Sequence, residues 1–510
     1  MKQYDVVVIG AGNGGLAAAV KLLSAGKSCL VCEKHNLPGG FATSFVRGRF
    51  EFEASLHEFN GIGTPENPGS TRLLFRELGV EDKIEWVQLK DAFHLISKEE
   101  DYRFTMPFGL EAFAEAADKL YPGGKKYTEQ LFSVGLQIRE ALEYLSISKG
   151  KPDPSILKEK YPDFLRFASC SVSEGFNAMG FPKMIKDICS AYWCYLGAHC
   201  DNLGFIHYVN MLYSYISGGA AIPKHRSHEL SLAFETRIRE LGGDIWYNAE
   251  VTRIITDDMG HVSGVQINDG TEIKTRHVIA NCSPHVVYGR LMDPEAVPER
   301  ALKLTNSRKL AGRGFTVFLA LDRSPDDLGI KEHNYFIYDT CDSVRQYKNM
   351  GKLHENSAQA TVCLNRAISD CSPEGTTILY MTTLFTEDVW SLVTAEDYFK
   401  VKNEVAASMI DRFEKSTDTH IRDHIEEIAV ATPITYARYC GHPQGTVYGY
   451  ESQYWDGLLP RVMMVEEDHF VPGLRIGGGY GERLLGYPSS YKSGYNEAVR
   501  TLRDMEKEGE

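Results

Sequence analysis

Gly10, Gly12 and Gly15 stand in the order G-x-G-x-x-G, and Glu33 follows eighteen positions after the last of them. That spacing suits one chemistry, the holding of a dinucleotide. Gly10 permits a tight turn, Gly12 lets the backbone approach a pyrophosphate, and Gly15 lets a helix pack closely on a strand. The amides and dipole of the helix start face the phosphates, which places Asn13 and Gly14 among the expected cofactor contacts. Glu33 can accept a hydrogen bond from a ribose hydroxyl, and Lys34 beside it joins the set. Pro38–Gly39–Gly40 follows closely, and Ser44 lies four positions after Gly40. A second glycine pair would bring further amides to the same pyrophosphate. A nicotinamide domain has no evident need for that pair, so the expected cofactor is FAD rather than NAD.

The elements that must position these residues are readable around them. Asp5–Ile9 is an apolar, β-branched run of strand length, Leu16–Ala25 has helical composition, and Ser28–Cys32 is a second apolar run ending at Glu33. Strand, glycine turn, helix, strand and acid form the context that the dinucleotide fingerprint requires. Cys29-x-x-Cys32 lies inside the second run, where positions three apart point to opposite faces. The two cysteines therefore read as small core residues, not as a redox or metal pair.

The chain has 510 residues, enough for two or three domains, with 43% hydrophobic and 24% charged residues. Its net charge of −14 argues against a nucleic-acid partner and does not favour anionic membranes. No run approaches the ~18–20 apolar residues of a membrane span. The first strand follows Tyr4 so closely that no cleaved leader is expected. Eleven cysteines without regular spacing suggest reduced thiols. A cytoplasmic protein with at most peripheral membrane contact is expected.

Further along, Arg47–Leu56 alternates as a strand would, Ser70–Leu78 reads as a short helix, and Trp86–Phe104 as one or two strands. Leu110–Leu145 is helical with a break at Pro122–Gly123, and Lys149–Pro154 is a polar loop. Phe164–Ile222 is rich in aromatic residues. Helices of that kind can wall an apolar cavity or form an ordinary core. Ser227–Leu241 is an amphipathic helix and Asp244–Ile255 a strand pair with Val251 near its middle. A hairpin turning at Asp269–Gly270 follows, then a strand at Val278–Asn281. Thr316–Leu321 and Thr376–Thr383 are strand candidates and Ala395–Lys415 a long helix. Leu474–Ile476 is a short strand before Gly477–Gly478–Gly479 and a helix from about Ser489 to Met505. The inferred organisation is two interwoven domains. Residues 1–60, 218–300 and 460–510 would bind the cofactor, and residues 61–217 and 301–459 the substrate.

Four blocks carry a resemblance. They are Gly10-x-Gly12-x-x-Gly15 with Glu33 and Gly39–Gly40; Gly218–Gly219 through Gly242–Gly243 to Val251 and Asp269–Gly270; Thr432-Pro433-x-Thr435 through Gly445-x-x-Tyr448–Gly449; and Gly477–Gly478 with Ser493–Gly494 and Ala498. In order and spacing the chain resembles the FAD-dependent phytoene desaturase group, above all its carotenoid isomerase and retinol saturase branch. The resemblance implies an α/β fold: a glutathione-reductase-like FAD-binding Rossmann domain interwoven with an α+β substrate domain. It also implies that the adenine rests against the backbone at Val251. Three positions depart from the group's usual pattern. Phe41 replaces an Arg, Glu53-Ala54-Ser55 replaces Asp-x-Gly near the flavin ring, and Gly478–Gly479 replaces Gly-Asp. Ser55 would crowd the ring or add a hydrogen bond to it.

The implied reaction is saturation, desaturation or isomerisation of a C=C bond in an apolar polyene, isoprenoid or unsaturated acyl chain. The flavin would carry the redox step, and the last helix would direct its positive end at the ring. His57 is the first candidate for the accompanying proton step, with a hydrogen-bonded core histidine as its plainer reading. Tyr448 is the second, with a packing role as the alternative. No spacing suggests a metal site. Without a second G-x-G-x-x-G, no dedicated NAD(P)H domain is expected, and the electron donor or acceptor is open. Two other readings share the motifs. One is a flavin amine oxidase with an aromatic cage from Tyr436, Tyr439 and Tyr448. The other is a non-catalytic lipid-binding protein like the Rab dissociation inhibitors, against which the intact glycines at both ends of the chain argue.

Overall fold

The computed structural model describes residues 2–148, 151–453, 455–463 and 465–509. Val6–Ile9 (β1) is a run of four apolar residues, all buried, as a parallel strand covered on both faces requires. It leads into helix Asn13–Ser24 (α1) and returns as Cys29–Cys32 (β2), paired in parallel with Val6 opposite Cys29. Asp244–Trp246 (β3), His277–Ala280 (β4) and Leu474–Ile476 (β5) complete a five-stranded parallel sheet ordered β3-β2-β1-β4-β5. The chain leaves β1 toward β2 on one side and meets β4 on the other. Such a reversal opens a crevice at the carboxyl ends of the strands.

The final helix, Gly486–Gly509 (α2), lies against α1. The two backbones approach so closely that a Cβ on Gly494 would stand 1.9 Å from the carbonyl oxygen of Gly14. Only glycine permits that approach, so the two ends of the chain are locked over one crevice. A separate antiparallel layer, Val251–Thr256, Val262–Ile267 and Glu272–Lys274, is extended by Lys2–Gln3.

The second body is a seven-stranded sheet. Its order is Ile425–Ala431, Arg313–Leu321, Thr377–Phe385, Gln359–Cys363, Asn334–Tyr338, Asp91–Ser97 and Tyr102–Pro107. Helix Tyr398–Thr417 buries Met409, Ile410 and Phe413 in a core with Phe315, Val317 and Leu319. Helices Leu110–Leu120 and Gly124–Ile147 divide at the expected Pro122–Gly123 break. The aromatic segment serves both purposes left open above. Trp193, Tyr192 and Tyr208 sit in the core, while Tyr195, Met211 and Tyr215 reach a cavity wall.

Several local expectations change. Trp86–Phe104 holds Trp86–Gln88, Asp91–Ser97 and the start of Tyr102–Pro107, and the first of these belongs to another sheet, with Ala220–Pro223 and Phe59–Asn60. Asp244–Ile255 is not a strand pair. Its halves join different sheets, and Val251 opens the second strand. The last helix begins at Gly486, not Ser489. Residues 149 and 150 of the expected loop lie outside the described residues.

Candidate functional site

The crevice beside β1 opens into a cavity of about 1450 Å³. A single drug-sized ligand occupies ~300–1,000 Å³, so this cavity has room for a cofactor and a substrate together. At one end its wall is Gly10, Gly12, Asn13, Glu33, Lys34 and Val251. Gly12 caps α1 in an extended conformation with no side-chain hydrogen bond to the first turn, which leaves that turn's amides for a ligand. Asn13 Oδ1 is buried without a protein partner. Glu33 Oε2 accepts from the Ala11 amide at 2.7 Å and Oε1 from the His35 amide at 2.8 Å, which fixes the carboxylate at the tip of β2. Lys34 Nζ donates to the Arg438 carbonyl at 3.0 Å. An uncapped helix start, an orphaned amide oxygen and a fixed acid fit the phosphates and ribose of a dinucleotide.

Gly39, Gly40, Ser55 and Gly479 line the middle of the cavity. The Ser55 hydroxyl donates to the Phe41 carbonyl at 3.2 Å and meets the Tyr487 hydroxyl at 2.8 Å, so it is tied to its own loop. Phe41, where the related group has Arg, packs its ring on Tyr436 and His442 at 5.5 and 5.1 Å. Glu53 is a brace. It accepts from the amides of Ser55, Leu56 and Ser227 and from the Ser227 hydroxyl. The first turn of α2, Gly486 to Ser490, also faces the cavity.

Four expected contacts are not among the residues lining the cavity. Ser44 stands on the strand Ser44–Arg47 and its hydroxyl bonds the Glu51 carboxylate, which turns it away from the cavity. Gly14, Gly15 and Gly478 are packing positions: Gly14 meets Gly478 and Gly494, Gly15 meets the Gly10 carbonyl, and Gly478 abuts Asn281. Asn281, just after β4, packs against Gly10, Gly12, Gly14 and Gly478 and lines the cavity. The one signal for it in the sequence was a polar residue closing the apolar run Val278–Ala280.

His57 and Tyr448 both line the cavity. His57 Nε2 lies 3.2 Å from Thr382 Oγ1, Thr382 lies 3.1 Å from Thr316 Oγ1, and the Tyr436 hydroxyl donates to Thr316 at 2.8 Å. Burial, and then the neighbouring His333, push the His57 imidazole down to about 4, so it is neutral near pH 7. Glu58, absent from the expected set, lines the same wall. It accepts from Tyr195 and Asn334 at 2.9 Å each. Burial pushes its carboxyl up to about 8. Among the described residues, no group of three His, Cys, Asp or Glu could hold a metal ion, and no helix is long and apolar enough to cross a membrane. Cys29 and Cys32 are free and buried.

Residues 14–405 match the model of the flavin containing amine oxidoreductase family. The chain belongs to that family. This flavin amine oxidoreductase is thus an FAD-dependent oxidoreductase by family, and its fold agrees with solved members. A putrescine oxidase superposes with a TM-score of 0.62 at 15% identity over 98% of this chain and 99% of its own. Cyclohexylamine oxidase from Brevibacterium oxydans does so with 0.61 at 15% over 99% of each chain. At such identities the likeness speaks for the fold alone. Among curated relatives, all-trans-retinol 13,14-reductase of Danio rerio is 25% identical over 88% of this chain and 78% of its own length. Prolycopene isomerase of Daucus carota is 25% identical over 88% and 72%.

Proposed function

We propose that this flavin oxidoreductase acts on carbon–carbon bonds of an extended, apolar, unsaturated chain, saturating or desaturating it or isomerising its double bonds. One observation carries the reading. A single cavity joins the glycine cradle to an arm walled by Tyr195, Met211, Tyr215, Leu458 and Leu485. Each buried CH₂ contributes ~0.8 kcal/mol, so such an arm binds a long hydrocarbon without any charged anchor. The names of the retinol reductase and prolycopene isomerase relatives point the same way.

In this reading the first-turn amides of α1, with Glu33 and the backbone at Val251, hold the dinucleotide end of FAD. Gly39–Gly40, Ser55, Gly479 and the start of α2, which line the same cavity, would hold the ring. Bound FAD supplies hydride exchange with a substrate carbon. The chain's own residues manage the proton. His57 lines the cavity with Nε2 tied to Thr382, and no hydrogen bond among the described residues engages its Nδ1. The Thr382 hydroxyl can donate or accept. The imidazole can therefore present Nδ1 bare or protonated by changing tautomer, without becoming a buried cation. Tyr448 borders the arm and shapes it.

His57→Ala tests the assignment. The expected result is a protein that keeps its flavin but exchanges electrons between flavin and polyene ~10²-fold more slowly, measured by rapid-mixing absorbance. Unchanged kinetics would remove His57 from the proton step.

A further inference from the structure

We propose that Glu58 is a neutral carboxylic acid and the proton source of this site in the saturating direction, so that the consecutive pair His57–Glu58 works with inverted charge states, the glutamate uncharged with its proton on and the histidine a neutral imidazole. The inference deepens the reading above and rests on it for the identity of the proton's acceptor, but not for the protonation state.

The hydrogen-bond geometry points to that state. The Tyr192 hydroxyl lies 3.0 Å from the Ala92 carbonyl oxygen and 3.2 Å from Glu58 Oε2. A tyrosine has one proton to donate, and a backbone carbonyl can only accept. With the Tyr192 proton on the nearer acceptor, the Ala92 carbonyl, the contact with Oε2 is closed by a proton on Oε2 itself. The other oxygen behaves as a carbonyl. Oε1 accepts from the Tyr195 hydroxyl and from Asn334 Nδ2, both at 2.9 Å. Glu58 as a whole is 5% exposed and lines the cavity.

The titratable groups around it agree. They are Tyr192, Tyr195 and Tyr215 and Cys194, which burial holds neutral, with His57 next to it in the chain and His333 just before the strand Asn334–Tyr338, both pushed down to about 4. No cation contributes to the electrostatics at Glu58. A buried carboxyl without a cation keeps its proton, and two groups whose environments push their proton affinities apart are the mark of an acid–base pair.

In the saturating direction the O–H bond at Oε2 breaks and its proton forms a C–H bond with the π electrons of the substrate double bond. The neighbouring carbon, left electron-poor, takes hydride from a reduced flavin. The new carboxylate keeps Tyr195 and Asn334 as donors, gains Tyr192 when that hydroxyl turns from Ala92, and is reprotonated from water. The same steps reversed serve desaturation.

Glu58→Gln preserves the shape of the neutral acid. Wild-type holoenzyme at pH 7 should show the infrared C=O band of a protonated carboxylic acid, shifted in ²H₂O, and E58Q should lack it. E58Q should also incorporate solvent deuterium into the substrate ~10²-fold more slowly, with its flavin content unchanged. Absence of the band from wild type, or its loss in E58Q with undiminished deuterium incorporation, overturns the proposal. Should E58Q fail to fold, Tyr195→Phe removes one donor from Oε1 and must shift the band; an unmoved band overturns it equally. If no polyene exchanges electrons with the flavin, the function reading fails while the band still reports on Glu58.

Discussion

Gly479 presents no side chain to a cavity that has room for one. A Cβ there would meet no atom within 4 Å, whereas one at Gly478 would collide with Asn281 Oδ1 at 2.1 Å. The aspartate usual at position 479 in the related group is thus missing for no steric reason. Gly479→Asp should restore a hydrogen bond to the cofactor, worth ~0.5–1.5 kcal/mol net. Titration of the apoprotein with FAD should then show a several-fold lower dissociation constant than wild type. An unchanged or higher constant would mean that the cofactor does not pass position 479 as inferred. Ser55 illustrates the opposite case. Its hydroxyl is already engaged by Phe41 and Tyr487, so it adds rigidity to the loop rather than a free donor.

Elements are legible in the sequence where one local pattern decides them. The run from β1 through α1 to β2 is readable because four apolar residues, a glycine turn and a second apolar run each have one structural solution. The helix Ser70–Leu78 matches its expected limits for the same reason. Strands that depend on distant partners are not legible. Asn334–Tyr338 pairs in parallel with Asp91–Ser97, and Ile425–Ala431 is an edge strand with mixed exposure. Neither carries a strong alternation of its own. The site divides likewise. The glycines, Glu33 and His57 stand out by type and spacing, but Glu58 gains its character from Tyr192, Tyr195 and Asn334, which are 134, 137 and 276 positions away. The Tyr436–Thr316–Thr382 line also spans three elements. Ser44 misled because its closeness in sequence to Gly40 does not survive the turn onto its strand.

The molecule as a whole carries an unusual load of buried neutral histidines. Burial pushes His57, His94, His333 and His442 down to about 4 and His207 to about 3. Unfolded, each returns to about 6.5. Between those values the unfolded chain binds more protons than the folded one, so stability falls as pH falls from about 6.5 toward 4. Glu58 has the opposite sign: folded near 8 and unfolded near 4.3, it makes stability fall as pH rises through that interval. Five histidines outweigh Glu58 and Glu497, which burial pushes up to about 7, on the acid side, and above about 7 Glu58 carries the decline furthest. Thermal melts should therefore peak near pH 6.5, with an alkaline decline that E58Q flattens. A melting temperature that climbs steadily through pH 8 would contradict these assignments.

The central claim is that one cavity holds FAD against an arm built for unsaturated hydrocarbon. Its most direct test is to reduce the holoenzyme without oxygen and add, in turn, retinoids, carotenoids, unsaturated acyl chains, putrescine and cyclohexylamine while following flavin absorbance and product mass. The account predicts that a long apolar polyene reoxidises the flavin and leaves two hydrogens heavier, or isomerises on the reduced enzyme, and that the amines do neither and fail to reduce the oxidised enzyme. Reduction of oxidised flavin by an amine with release of peroxide, while every polyene stays inert, would contradict it.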